Sequence, residues 1–146
     1  MNETEDKPKE GESWLEFFKR HKMFADLILM AWSTSEFFMN QLFTKQFNVY
    51  FDYPEAKILV DMTFNRKLEY LKKFGVFSNE EFQTIKKFQE FRNKLFHGSI
   101  PEYITWTESK KEKVMDEAIQ ATNIIRDALV NGRKIKKQSD ERIPKF

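Results

Sequence analysis

Residues 24–47 read FADLILMAWSTSEFFMNQLFTKQF, and their spacing decides the fold class. Apolar side chains at 24, 27, 28, 31, 38 and 42 recur at helical intervals rather than alternating as in a strand. Further apolar residues at 30, 32, 37, 39, 43 and 47 widen that face until it nearly encircles the helix. A stripe this broad predicts burial on more than one side, in the centre of a bundle or beneath a partner.

Outward from this segment the pattern stays helical, and the glycines fall where helices should stop. Ser13 caps a short helix through Trp14, Phe17 and Phe18 to about Lys22. On the other side, 48–53 is short, aromatic and followed by Pro54, so it reads as a loop. Pro54 suits the first turn of a helix carrying Ile58, Leu59, Met62, Leu68 and Leu71. Lys72 and Lys73 suit its negative end, and Gly75 closes it. Ser78-Asn79-Glu80-Glu81 is a capping box, a hydroxyl with a carboxylate three residues on. It opens a helix through Phe82, Ile85, Phe88, Phe91 and Leu95, closed by Gly98. After a connection at 101–107, Thr107 or Ser109 starts a last helix from Val114 through Ile125 and Leu129, closed by Gly132. The prediction is an all-α, up-and-down bundle of four main helices plus a short N-terminal one. It spans 13–132, between a disordered acidic start at 1–12 and a flexible basic tail at 133–146.

Composition narrows the function classes. A chain of 146 residues suits one domain, and 16 phenylalanines and 6 methionines supply core volume without staples. The chain has no cysteine, which excludes disulfide scaffolds, iron–sulfur clusters and thiol catalysis. Its 4 glycines lie too far apart to form a phosphate cradle. The uncharged run Leu27 to Ser35 is about half a membrane span, and the acidic start is the reverse of a signal peptide. A cytoplasmic chain without a membrane partner is expected. Six of the 14 residues after Gly132 are basic and two acidic, a tail whose simplest role is solubility.

With 2 histidines, most catalytic templates fail. The residues three before them are Phe18 and Lys94, so no Glu-x-x-His pair for a di-iron bundle exists. No His-x-x-x-His pair suggests zinc, and no Gly-x-Ser-x-Gly suggests a hydrolase elbow. No metal or cofactor is expected. His21, among Lys19, Arg20 and Lys22 at a helix end, reads as an exposed polar residue.

His97 has different company: Glu90-Phe91-Arg92-Asn93-Lys94-Leu95-Phe96-His97-Gly98. Asn93 and His97 lie four apart on one helical face, where the amide can orient the imidazole. Arg92 falls inside the apolar arc of Ile85, Phe88, Leu95 and Phe96. A guanidinium there must be paired or opened to solvent, since burying it alone costs several kcal/mol. Arg, Asn and His converging at a helix end make a candidate site for an anionic phosphate.

Arg92-Asn93-x-x-x-His97, late on a helix of a small all-α chain, resembles the signature of the HEPN superfamily: Arg, often followed by Asn, then His after a short gap. The motif fills six residues, and the fold plan matches over 13–132. The resemblance implies a homodimer that brings two Arg–His motifs into one cleft. It also implies a metal-independent RNase, acting as a toxin or defence effector, that leaves 2′,3′-cyclic phosphate ends. In that scheme His97 is general base or acid, because imidazoles ordinarily titrate near neutrality. Arg92 neutralises charge on the phosphate, Asn93 holds the His97 ring, and Lys94 contacts RNA. Tyr103 and Trp106, in the connection beside the motif, are the candidates for stacking on bases. An antitoxin or other protein partner is also implied. One toxin branch has Tyr two residues beyond the His, where this chain has Ser99.

Two competing readings stand beside this one. The same bundle serves as a non-catalytic interaction or nucleotide-binding module, or as a bare structural bundle with Arg92 paired to a carboxylate such as Glu36 or Glu69. The many phenylalanines read most simply as core, with the remainder forming a dimer face.

Overall fold

The computed structural model describes residues 6–47, 62–97 and 102–135, with the backbone alone at 47, 96, 97 and 102. The chain's first five residues, the 48–53 loop, the Pro54 helix start, Gly98, Ser99 and most of the basic tail lie outside the described residues. Within them every regular element is helical. These are α1 (Trp14–Arg20), α2 (Phe24–Phe47), α3 (Phe64–Lys73), α4 (Asn79–His97) and α5 (Glu108–Val130), with a 3₁₀ turn at Glu102–Thr105.

Side-chain caps set most helix starts. Ser13 accepts the Glu16 N–H at 3.1 Å, and Thr107, rather than Ser109, accepts the Lys110 N–H at 3.1 Å. The capping box closes reciprocally: Glu81 N–H donates to Ser78 Oγ at 3.1 Å, and Ser78 N–H to Glu81 Oε1 at 2.9 Å. At α3 the cap is Thr63, whose hydroxyl accepts the Arg66 N–H at 3.3 Å. The hydrophobic spacing carried past this signal, so Met62, expected on the helix, precedes it. Gly75 takes φ +80, a left-handed turn open to glycine at little cost, and Val76 N–H then donates back to Leu71 O at 2.8 Å.

Contacts along the helices give their directions. Phe24, at the start of α2, meets Trp106 just ahead of α5 with ring centres 6.0 Å apart. Ser35, midway, meets Thr122 at 3.0 Å. Gln46, near the end, accepts the Ile135 N–H at 3.2 Å and donates to Arg133 O. So α2 and α5 run side by side in one direction. α4 opposes both, its Phe91 lying near Phe24 and Trp106 and its first turn near Arg133. α3 opposes α4, with Asn65 beside Lys86 and Lys72 over Phe82. Direction therefore alternates from α3 to α5, as expected, but not between α2 and α3, whose joining residues lie outside those described.

The core centres on α2, which contributes Leu27, Ile28, Ala31, Met39, Leu42 and Phe43, all buried. α5 answers with Ala118, Ala121, Ile125 and Ala128. Three alanines let the two helix backbones approach closely, and the buried Ser35–Thr122 hydroxyl pair fixes their register. Burial of α2 is nonetheless one-sided. Leu29, Met30 and Phe37 stay exposed, the last at 59%.

Both ends of the described chain are tied down by ion pairs. Arg20 grips Glu12 at 2.8 Å, drawing that carboxyl down to about 2. Arg133 donates to Glu81 at 2.7 Å and to Val76 O at 3.2 Å, holding the Glu81 carboxyl below the usual range. A lowered folded-state pKa means stability that is present above the unfolded value and lost as pH falls. The melting temperature is therefore expected to stay level down to about pH 5 and then fall. For Glu12 that loss runs from the ordinary carboxyl value of 4.5 towards about 2. Glu81→Gln should melt lower than wild type at pH 7 and converge on it in acid. Melts at stepped pH check this, and parallel curves at all pH would refute it.

Candidate functional site

The last two turns of α4 carry Arg92, Asn93, Lys94 and the backbone of His97. Arg92 is half-buried, its guanidinium carbon 4.9 Å from the centre of the Trp32 ring. Trp32 is itself buried between Phe64 and Phe88, with ring centres 4.7 and 5.9 Å away. The cation thus rests on a rigid aromatic wall, an arrangement that favours arginine over lysine. Arg92 Nη1 donates to Asn93 Oδ1 at 3.3 Å, so the amide braces the guanidinium. The sequence led us to expect Asn93 beside the His97 ring, which lies outside the described side chains. Of the carboxylates considered for Arg92, Glu69 accepts from Asn65 at 3.2 Å and Glu36 is exposed.

Lys94 stands elsewhere. Two residues on a helix are about 200° apart, so it leaves Arg92 and Trp32 and faces α5. There it joins Trp106, Lys110 and Lys113 along a groove of about 600 Å³ floored by Phe91. Trp106 is half-buried, 5.4 Å from Phe91 between ring centres, and Lys110 Nζ lies 4.2 Å from its centroid. Tyr103 packs on Phe24 at 5.1 Å against the core, and the groove does not include it. The structure thus places Tyr103, in the 3₁₀ turn, partly buried against the end of the core.

Four of the six predicted residues therefore divide. Arg92 and Asn93 pair on the α2 side of α4, Lys94 and Trp106 meet on the α5 side, and one copy of the chain does not unite these pairs. Sequence reading missed Lys110 and Lys113. Their signal was present, since Lys87 and Lys94 sit seven apart and Lys110 and Lys113 three apart, spacings that share a helix face.

A second hollow, about 470 Å³ between α1 and α5, carries both signs of charge, and its Lys19 is committed to Asp116 at 2.6 Å. Among the described residues no three His, Asp or Glu side chains gather as a metal site, and no helix is long and apolar enough to cross a membrane. No family model matches the chain, and no curated protein or solved structure matches it.

Proposed function

We propose that the chain is an HEPN-type, metal-independent RNA endonuclease, a cytoplasmic toxin or defence effector whose site forms across a homodimer. The observation that carries this reading is Arg92, stacked on Trp32 and braced by Asn93, on the helix that ends at His97. A stacked guanidinium keeps its charge and needs little reorganisation to meet a phosphate, which is how fixed cations lower a barrier. In the proposed step His97 takes the ribose 2′-hydroxyl proton, and the freed oxygen attacks phosphorus. The bond to the 5′-oxygen breaks, and that oxygen takes a proton from an imidazolium, the partner copy's in the composite site. Arg92 neutralises the charge that gathers on the phosphate oxygens. The products are a 2′,3′-cyclic phosphate and a 5′-hydroxyl. Purified protein incubated with tRNA or mRNA in EDTA should yield fragments with those ends, and intact RNA would remove the enzyme claim.

The dimer draws support from α2. Leu29, Met30 and Phe37 lie exposed along it, and Leu29 sits one turn from Trp32, beside the seat of Arg92. Burying such a stripe against a second copy would bring two Arg92 seats near one another. Phe37→Glu should shift sedimentation from dimer to monomer at micromolar concentration and abolish cleavage with it. A wild-type monomer at those concentrations would defeat the composite site.

A second reading has its own observation. Arg92 on Trp32 also ties α4 to α2, as a purely structural arginine would in a non-catalytic interaction module. On that reading Arg92→Ala lowers the melting temperature and there is no activity to lose.

A further inference from the structure

The groove between α4 and α5 combines lysines with aromatic and aliphatic side chains. Four lysines border it, at 87, 94, 110 and 113, while its floor is Phe91, Trp106 and neighbouring apolar carbon. Lys87 is neutralised by Glu117 at 3.2 Å. Lys94 and Lys113 form no ion pair with any described residue. Lys110 holds its ammonium over the indole instead of against a carboxylate. Three cations thus share one concavity, and among the described residues none of the three is in an ion pair, while the groove's carboxylate, Glu117, is taken by Lys87. Their mutual repulsion works against the fold, and a ligand carrying several negative charges relieves it.

The floor specifies more than charge. Trp106 rests on Phe91 and Phe24, so the ring is rigidly backed. Over the ring stands an ammonium on a flexible stem. A flat apolar ligand can displace that ammonium onto a neighbouring anion, so that the indole gains a stack and Lys110 exchanges a cation–π contact for an ion pair. Aromatic rings joined by phosphates have both properties when their faces are free. A duplex hides its base faces, and an acidic peptide has charge without rings.

We propose that this groove binds single-stranded RNA, with one base on Trp106 and adjacent phosphates on Lys94, Lys110 and Lys113. The choice of RNA over DNA rests on the nuclease reading above; preference for a single-stranded nucleic acid rests on the groove. The volume, about 600 Å³, matches pockets that enclose one small ligand, so it holds about one nucleotide while the strand continues along the helices. α4 ends three residues beyond Lys94. A strand leaving the groove along Lys94 therefore arrives at the helix end where the proposed chemistry lies.

The test uses the full-length protein and a labelled 2′-O-methyl oligo(U) of about ten nucleotides, which spans such a groove and resists cleavage through its 2′-oxygen. Fluorescence anisotropy should show binding that weakens steeply with salt. Lys94→Glu with Lys113→Glu, both at exposed positions, should weaken it by at least about tenfold and flatten the salt slope by about two. Lys45→Glu with Arg66→Glu, on other helices, should leave it unchanged. In a Trp14→Phe background, with Trp32 buried, oligonucleotide should quench the remaining tryptophan emission. The proposal is overturned by no binding at low salt, by equal binding in the Lys94/Lys113 variant, by absence of quenching, or by a glutamate-rich peptide competing as well as the oligonucleotide. Oligo(dT) binding as tightly as RNA would overturn the choice of RNA and leave the groove. Cleavage absent with binding intact would sink the nuclease alone, and cleavage intact without groove binding would sink this proposal alone.

Discussion

Replacing His97 by alanine is expected to slow RNA cleavage by about 10²- to 10⁴-fold, the usual contribution of one general acid or base. Helix α4 ends at that residue, so the truncation removes none of its backbone hydrogen bonds. Arg92→Lys separates charge from geometry. The ammonium is still a cation, but it loses the planar fork that lies over Trp32. Cleavage should fall by roughly 10²-fold, as when one oriented donor to a transition state is lost. Rates from labelled RNA in EDTA, with circular dichroism to verify folding, decide the matter. A His97→Ala protein that cleaves at the wild-type rate would assign the cleavage to a contaminant or to another site.

Phe43→Ala is expected to destabilise the fold by about 3–5 kcal/mol, the range for emptying a buried phenylalanine site. Phe43 is 1% exposed, and its ring lies 5.9 Å from the ammonium of Lys67, which is also buried and donates to Asn40 at 2.6 Å. Truncation leaves a cavity and takes an aromatic face from a buried cation, so both effects act in one direction. The midpoint should drop by on the order of 10 °C. Phe37→Ala, at low enough concentration to exclude dimers, should change stability by less than about 0.5 kcal/mol. Equal effects at the two positions, by urea or thermal unfolding, would mean that α2 faces the core differently.

These two phenylalanines mark where sequence reading stopped. Both lie in the broad apolar stripe of α2, and no periodicity argument separates them. The separation comes from the neighbouring helices: Phe43 is buried beside Lys67 of α3, and Phe37 is left exposed. Helix boundaries were easier to read where a cap announced them, as at Ser13, Ser78 and Thr107. Thr63 was harder, because apolar spacing continues across it and a lone threonine has no partner carboxylate to complete a box.

The candidate site divides in the same way. The side chains that suit a phosphate, Arg92, Asn93 and His97, were visible from their types and spacing, since helix geometry is local. The separation of Lys94 from Arg92 follows from the same 100° step, but the identity of what faces each is not local. Tyr103 and Trp106, three residues apart in one turn, parted because only Trp106 reaches the α4–α5 groove while Tyr103 seals Phe24.

By itself the sequence determined that this chain is helical, where most of its helices begin, and which residues could meet an anion, because hydrogen bonding and amphipathicity act over one turn. The tertiary structure alone decided that α2 and α5 run together, that Arg92 rests on Trp32, and that four lysines from two helices border one groove. Those outcomes depend on which distant surfaces bury best against each other, a choice no single helix encodes.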